Sequence, residues 1–245
     1  MSLIDSIGLY QLVFMAFVLL AAYTVKGMAG FGSGLLAVPL LALVAPLTLV
    51  VPVLGLVSYS GTIIQAYQLR GSVVWRDCLL VLPFSLLGVW LALWLFKQVD
   101  LYWLNKALAA FIIIYALISL KPEHATVKNR YWAAPAGFFA GLVGALFGTG
   151  GPFYVTYLKL RQLDKTAFRA TIVFIFLFDG AIRISAYSVS GFYPADALLL
   201  AVLALPVLFL GLYAGHHIHL KISKQRFNQV ISIILLMSGL MLMLK

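Results

Sequence analysis

Two short stretches of small residues interrupt the apolar sequence at corresponding places in the two halves of the chain. The first reads Phe-Gly-Ser-Gly at 31–34, and it returns as Phe-Gly-Thr-Gly at 147–150, 116 positions later. If each break starts a helix, its first turn presents backbone N–H groups without partners and about half a positive charge. The hydroxyls of Ser33 and Thr149 add further donors. This combination is typical of a binding site for a small anion.

Glycines in both breaks would let an anion approach the backbone closely. The predicted binding residues of the two breaks are Gly30, Phe31, Gly32, Ser33, Gly34, Gly148, Thr149, Gly150 and Gly151. The alternative is that these glycines serve only close packing between membrane helices, where glycine is frequent. One such motif alone favours packing. Its duplication, each time with a hydroxyl and a shortened helix, favours a binding site.

Charged residues inside apolar sequence form a second group of candidates. Asp179 and Arg183 are four positions apart within the apolar run at 168–187, so they share a helix face. Because a charge in hydrocarbon costs at least ~2.5 kcal/mol, they should pair and face the bundle interior. Two interpretations stay open: the pair only fixes the helix orientation, or Arg183 binds the anion while Asp179 holds it or takes up a proton. Lys26, directly before the first break, is either a third polar contact or an ammonium that snorkels to the interface.

The composition identifies the elements that must position these residues. Hydrophobic residues make up 64% of the 245 residues and charged ones only 10%, whereas soluble domains are about half apolar and about a quarter charged. The apolar runs are long and lack the alternation of barrel strands, so an all-α polytopic membrane protein is predicted. The first run, 7–25, follows Asp5 without a cleavage site and is interpreted as a retained helix. The single Cys78 excludes an internal disulfide.

Ten apolar blocks follow one another along the chain. They span residues 7–25, 34–45, 47–65, 78–96, 101–120, 131–147, 152–160, 168–187, 196–215 and 227–244. A membrane crossing needs about 20 residues. The blocks that follow the two breaks have about half that length, so each is predicted to be a half-helix that starts near mid-membrane. Pro152, in the first turn of the second half-helix, fits a helix start.

The distribution of basic residues predicts the topology. If each break turns the chain back as a hairpin, one side of the membrane receives 12 of the 17 basic residues, in the loops 68–77, 121–130, 159–169 and 216–226. The positive-inside rule makes this side cytoplasmic and both termini extracytoplasmic. Mere kinks at the breaks would split these loops between the two faces. Five elements per half is an odd number, which predicts two inverted repeats, 1–121 and 122–245, within one integral membrane domain.

Other classes of site find little support in the sequence. The net charge of +10 is interpreted as an orientation signal with affinity for acidic lipid headgroups, and no nucleic-acid partner is predicted. His216, His217 and His219 have no cysteine or carboxylate nearby to complete a metal shell. No metal, no cofactor and no catalytic constellation are predicted, so the chain is not expected to be an enzyme. The expected partners are a small anionic substrate and membrane lipid, and a homo-oligomer stays open.

The first break and its surroundings resemble a known family. A Gly-rich break followed by an apolar stretch and a proline, here Gly30-Phe31-Gly32-Ser33-Gly34 and then Pro39, resembles the TauE/SafE sulfite exporter family of anion permeases. The resemblance covers nearly the whole chain, and a weaker copy of the motif lies at 148–151. The chain departs from the stricter triple-glycine form at Ser33, and Val155 stands where the second repeat would place the proline. These departures concern the substrate more than the fold.

The resemblance implies an exporter of sulfite or organosulfonates in the bacterial inner membrane. A cytoplasm-negative potential supplies about 2.3 kcal/mol per charge per 100 mV for expelling an anion, so uniport would suffice. The alternatives are an anion channel or a proton-coupled permease for another small organic anion. Asp179 is the candidate for proton coupling because it is predicted to be the only buried carboxylate. The others lie near predicted helix ends or in loops: Asp5, Asp77, Asp100, Glu123, Asp164 and Asp196.

Overall fold

The fold was analysed in a computed structural model that describes residues 8–29, 32–119, 130–217 and 224–244. This part of the chain forms ten α-helices and no strands. They are α1 (Leu9–Ala29), α2 (Ser33–Leu41), α3 (Leu47–Leu69), α4 (Trp75–Gln98), α5 (Leu101–Ser119), α6 (Ala133–Phe147), α7 (Gly151–Leu160), α8 (Lys165–Val189), α9 (Ala195–His217) and α10 (Lys224–Leu244). Short 3₁₀ turns at Arg70–Ser72 and Arg130–Trp132 lie before α4 and α6.

Six of the described helices are long and apolar enough to cross a membrane. The crossing segments are Tyr10–Met28, Leu47–Ser72, Trp75–Gln98, Leu101–Ile118, Thr166–Val189 and Ala195–Gly215. Large apolar side chains such as Trp90, Leu199 and Val202 lie exposed on the outside of the bundle. An outer surface of this kind suits lipid rather than water. The predicted class, an all-α polytopic membrane protein, is confirmed.

The two helices that follow the breaks are short, as predicted. α2 has 9 residues and α7 has 10. At 1.5 Å per residue they are about 14–15 Å long, half of the roughly 30 Å hydrocarbon core. Pro152 lies in the first turn of α7, where its missing N–H costs no helical hydrogen bond. α2 ends at Leu41 rather than at the predicted 45, because the chain turns at 42–45 before α3.

The second break turns the chain back. Arg130, just before α6, and Arg161, just after α7, both place their Nε atoms near Oδ1 of Asp77, at 3.5 and 3.1 Å. The beginning of α6 and the end of α7 therefore lie at the same end of the bundle, and the predicted hairpin is confirmed for this break. The same contacts join three of the four basic loops at one end. The fourth, 216–226, falls largely outside the described residues.

Asp77 corrects one expectation from the sequence. Its side chain is 0% exposed although it lies in the first turn of α4. Tyr157, Arg161 and Arg130 surround its carboxylate and replace the water that it would otherwise need. The prediction that Asp179 is the only buried carboxylate is therefore wrong.

The helix contacts repeat when the first five and the last five helices are exchanged. α1 packs against α9 as α6 packs against α4, and α3 packs against α9 as α8 packs against α4. The pairs α3 with α8 and α5 with α10 close the arrangement. Two related repeats produce such a pattern. The insertion of the halves in opposite senses, and the boundary between 121 and 122, stay predictions.

Glycines allow the closest of these crossings. A Cβ on Gly88 of α4 would meet the carbonyl oxygen of Phe138 in α6, and one on Gly211 of α9 would meet Leu20 and Tyr23 of α1. Gly88 and Gly211 occupy corresponding places, 123 positions apart. Small residues let helix backbones come close to each other, and the van der Waals packing that results stabilises helix association in lipid. The bundle therefore depends on its glycines at both crossings.

This packing gives a first testable prediction. Gly88→Ala forces a methyl group against the backbone of α6, and overpacking of this kind costs about 1–3 kcal/mol. We expect a lower melting temperature for the purified variant in detergent, followed by tryptophan fluorescence. Gly71→Ala is the matched control, because nothing lies within 4 Å of the added Cβ. Equal melting temperatures for Gly88→Ala and the wild type would contradict the packing role.

Candidate functional site

The two breaks share an unusual backbone conformation. Gly32 has φ +97° and Gly148 has φ +64°, and these residues are 116 positions apart. Only glycine adopts such positive φ values without strain. Gly148 caps the C-terminus of α6 and Gly32 caps the N-terminus of α2, so each glycine lies at a helix end within its break. Gly30 and Phe31, both predicted site residues, lie outside the described residues.

The breaks from the two halves lie against each other. A Cβ on Gly34 would meet the carbonyl oxygen of Gly148, and a Cβ on Gly150 would meet the backbone of Ala140 and Gly144. The start of α2 therefore touches the end of α6 backbone to backbone. No residue with a side chain fits at Gly34 without separating the two breaks.

A cavity of about 90 Å³ lies where the breaks meet. One water needs roughly 10–15 Å³ of such a volume, so the cavity has room for several waters or one small polyatomic ion. Every predicted site residue that the structure describes lines it. These are Lys26, Gly32, Ser33, Gly34, Gly148, Thr149, Gly150, Gly151, Asp179 and Arg183.

Lys26 turns inward and is 4% exposed. Its Nζ donates to the carbonyl oxygen of Ser58 at 2.8 Å and to Oγ1 of Thr62 at 3.2 Å, both in α3. An ammonium has three N–H donors, so one is left over. Lys26 has no acidic partner in the described part of the chain. The snorkelling interpretation does not fit an ammonium held by α3 inside the bundle.

Asp179 and Arg183 form the predicted ion pair, with Arg183 Nη2 at 2.9 Å from Asp179 Oδ2. The other carboxylate oxygen accepts from Ser85 Oγ at 2.5 Å and from the Tyr154 hydroxyl at 3.0 Å. Asp179 is only 1% exposed, and its two oxygens are both engaged. The hydrogen bonds to Asp179 thus join α8 to α4 and to the half-helix α7.

Arg183 also holds the end of α6. Its Nη1 donates to the carbonyl oxygen of Gly144 at 3.0 Å, and the hydroxyl of Tyr187 donates to that of Ala145 at 2.5 Å. Carbonyls at a helix C-terminus carry the negative end of the helix dipole, which would repel an anion. These two side chains offset that negative end, and residues from the first turns of α2 and α7 line the cavity.

Thr149 brings a buried, unpartnered hydroxyl to the cavity, as far as the chain is described. The residue is 2% exposed, lines the cavity, and its Oγ1 has no hydrogen-bond partner among the described residues. A buried hydroxyl without a partner costs about 1–3 kcal/mol. Ser33, at the corresponding place in the first break, is 6% exposed and lines the same cavity. An oxyanion or a water in the cavity would give the Thr149 hydroxyl a partner.

The cavity has an excess of positive charge. Of the residues that line it, Lys26 and Arg183 are cationic and Asp179 is anionic. Because Asp179 pairs with Arg183, the charge of Lys26 is left uncompensated. The side chains that line the cavity therefore include more cations than anions.

Sequence reasoning missed four polar residues of this site. The carbonyl oxygen of Ser58 and the hydroxyls of Thr62, Ser85 and Tyr154 bind the charged groups around the cavity. One signal was present: Ser58 and Thr62 stand 121 positions before Asp179 and Arg183 with the same spacing of four. For Ser85 the sequence contains no comparable signal. The structure also brings together no group of three histidine, cysteine or carboxylate residues that could hold a metal, as far as the chain is described.

Membrane-length helices around a polar cavity are typical of a membrane transport protein. The chain belongs to the sulfite exporter TauE/SafE family, whose model matches residues 14–242. A curated relative, the probable inner membrane transporter protein TsaS of Comamonas testosteroni, is 28% identical over 173 residues, which cover 69% of this chain and 72% of the relative. No solved structure matches the chain significantly. The family predicted from the first break is confirmed.

The contact between the breaks gives a second prediction. Gly34→Ala places a methyl group against the carbonyl of Gly148, so the breaks must separate. We expect this variant to melt at a lower temperature and to lose anion transport. Gly55→Ala is the matched control in the same cavity, because its added Cβ comes no closer than 3.9 Å to Tyr187. Normal transport by Gly34→Ala would show that the breaks need not touch.

Proposed function

We propose that this protein exports small sulfur-containing anions, sulfite or organosulfonates, across the bacterial inner membrane. The observation that carries the proposal is the buried ammonium of Lys26, which has no acidic partner in the described structure and shares its cavity with the unpartnered hydroxyl of Thr149. A buried charge without a counter-ion costs several kcal/mol. An anionic substrate would supply the counter-ion that the described side chains do not.

Three kinds of donor would hold the anion. The first turns of α2 and α7 offer backbone N–H groups, Lys26 offers its third N–H, and Thr149 and Ser33 offer hydroxyls. An oxyanion with several acceptor oxygens matches donors that converge from different sides. Apolar residues Leu35, Val38 and Phe176 complete the cavity wall. They would accept a short organic group and make every charged contact stronger by excluding water.

The orientation of the chain supports export. The end of the bundle that contains Asp77, Arg130 and Arg161 holds the basic loops, so the positive-inside rule places it in the cytoplasm and both termini outside. An anion that enters there leaves down the membrane potential, which supplies about 2.3 kcal/mol per charge per 100 mV. We propose that one half rocks against the other around the paired breaks, which exposes the cavity to each side in turn.

A proton-coupled permease is the second candidate function, and the surroundings of Asp179 favour it. The carboxylate lies beside the cavity with two hydroxyls, Ser85 and Tyr154, directly hydrogen-bonded to it. Protonation would weaken its pairing with Arg183, and Arg183 holds the end of α6. A proton on Asp179 could in this way act on the second break. An anion channel would use the same donors but conduct far faster than a carrier turns over.

Thr149→Val tests the proposed site without changing its size. Loss of one hydrogen bond to a charged ligand costs about 1.5–3 kcal/mol, so we expect an apparent affinity weaker by roughly tenfold to a hundredfold. The measurement is flux of sulfite and methanesulfonate in proteoliposomes under an imposed potential. Thr156→Val is the matched control in α7, the half-helix that follows Thr149, because Thr156 is exposed and its hydroxyl donates to the carbonyl of Pro152.

Two results would contradict the proposal in different ways. Equal affinity in Thr149→Val and the wild type would remove this hydroxyl from the site. Failure of the folded wild type to move any sulfur oxyanion would mean that the cargo is wrong, and a wider set of anions should then be tested.

Asp179→Asn separates uniport from proton coupling. Uniport predicts that a pH gradient alone drives no flux, either in the wild type or in the variant. Proton coupling predicts flux driven by the gradient alone, and the variant should lose it because an amide cannot exchange a proton. We expect the first result, measured in the same proteoliposomes with the potential clamped at zero. Gradient-driven wild-type flux that disappears in Asp179→Asn would establish coupling instead.

A further inference from the structure

A second buried charged cluster lies at one end of the bundle, away from the cavity. The carboxylate of Asp77 accepts from the Tyr157 hydroxyl at 2.8 Å and from Arg161 Nε at 3.1 and 3.3 Å. Arg130 Nε lies 3.5 Å from the same carboxylate. Asp77 is fully buried and Arg161 largely so, while Arg130 is more exposed. We call these four residues the Asp77 cluster.

The half-helix α7 connects this cluster to the cavity. Its first residues, Gly151 and Pro152, line the cavity, and Arg161 follows its last residue. Ten residues of helix separate the two places by about 15 Å. Within α7, Tyr154 binds Asp179 near the cavity and Tyr157 binds Asp77 at the end. A displacement of α7 would therefore act on the cavity and on the cluster together.

The other half-helix, α2, contains no charged side chain that could form such a cluster. After Ser33, α2 contains only apolar side chains and glycine, and it ends in Leu41. Its buried residues Leu35, Leu36 and Val38 belong to the apolar core. The Asp77 cluster is therefore a difference between two otherwise corresponding elements. It lies at the end of the bundle that carries the basic loops.

The chemistry of the cluster suits a contact that opens and closes. An ion pair regains water when it separates, so the buried and the open forms of such a pair differ little in free energy. An apolar seal of equal area gains no hydration on opening and holds more firmly. The cluster joins α4, α7 and the turn before α6, and a movement of α7 would break its contacts to Asp77 at once.

We propose that the Asp77 cluster is a latch that closes the cytoplasmic end of the anion pathway and opens when α7 moves away from α4. The proposal rests on the transport function given above. Substrate would enter from the cytoplasm only while the latch is open. With the latch closed, the cavity would be ready to face the other side.

A cysteine in the cavity reports the state of this latch without any substrate. Gly55→Cys is suitable because Gly55 lines the cavity and has space for a Cβ. The native Cys78 is replaced by alanine so that it does not react. The rate of alkylation by a membrane-impermeant maleimide is measured from each face, in inside-out and right-side-out vesicles.

We expect Asp77→Asn and Arg161→Gln each to speed labelling from the cytoplasmic face, by roughly 5- to 150-fold, the usual range of coupling between two sites. Tyr157→Phe should give a smaller increase, because it removes one hydrogen bond and keeps the ion pair. Asp164→Asn is the matched control: Asp164 lies in the same basic loop region, caps α8 and is not among the partners of Asp77. Its labelling rate should equal that of the reporter alone.

Unchanged cytoplasmic labelling in Asp77→Asn and Arg161→Gln, or faster labelling only from the opposite face, would overturn the latch. If either charge variant fails to fold, the milder Tyr157→Phe decides by the same criterion. The readout needs no substrate, so the two proposals fail separately. Faster labelling without sulfur-anion flux would overturn the proposed cargo and support the latch, whereas normal flux with unchanged labelling would overturn the latch alone.

Discussion

The bilayer contains no water that could satisfy a broken helix, and this constraint shapes the centre of the protein. Two breaks expose backbone groups at membrane depth, and the structure places them against each other rather than against lipid. Gly34 and Gly148 permit that contact because they have no side chains. Arg183 and Tyr187 donate hydrogen bonds to carbonyl oxygens at the end of α6. In the proposed site the groups left toward the cavity are donors, so the constraint that forces the breaks together would also favour the binding of an anion.

In each half a cation joins the helix before the break to the third helix of that half, but the cation lies on a different helix in each. In the first half Lys26 of α1 binds α3, whereas in the second half Arg183 of α8 binds α6. Each contact joins the helix before a break to the third helix of its half. Arg183 is compensated by Asp179 and so acts mainly on structure. Lys26 has hydroxyl and carbonyl partners only, which leaves its charge for a ligand. We infer a division of roles. The ion pair of Arg183 stabilises the second break, and Lys26 beside the first break attracts the anion.

Much of this arrangement could be predicted because it depends on local sequence. The breaks, the half-helices and the pairing of Asp179 with Arg183 follow from glycine, helix length and a spacing of four. Other features depend on contacts between distant segments. Ser85 is an ordinary polar residue until α4 brings it to Asp179, 94 positions away. Asp77 is buried because α7 and the turn before α6 close over it, and the inward position of Lys26 depends on where α3 packs. Sequence position alone placed Asp77 near a helix end, and that says little about burial.

The central claim is that Lys26 carries the uncompensated charge that binds the anion. Equilibrium binding of sulfite and methanesulfonate to the purified protein in detergent, by titration calorimetry, tests it most directly. Removing one partner of a buried charge pair typically costs about 2–5 kcal/mol, so Lys26→Met should weaken binding by roughly 30-fold or more. Lys106→Met should bind as the wild type does, because Lys106 joins α5 to Met243 of α10 and does not line the cavity. Wild-type affinity in a folded Lys26→Met variant would contradict the account.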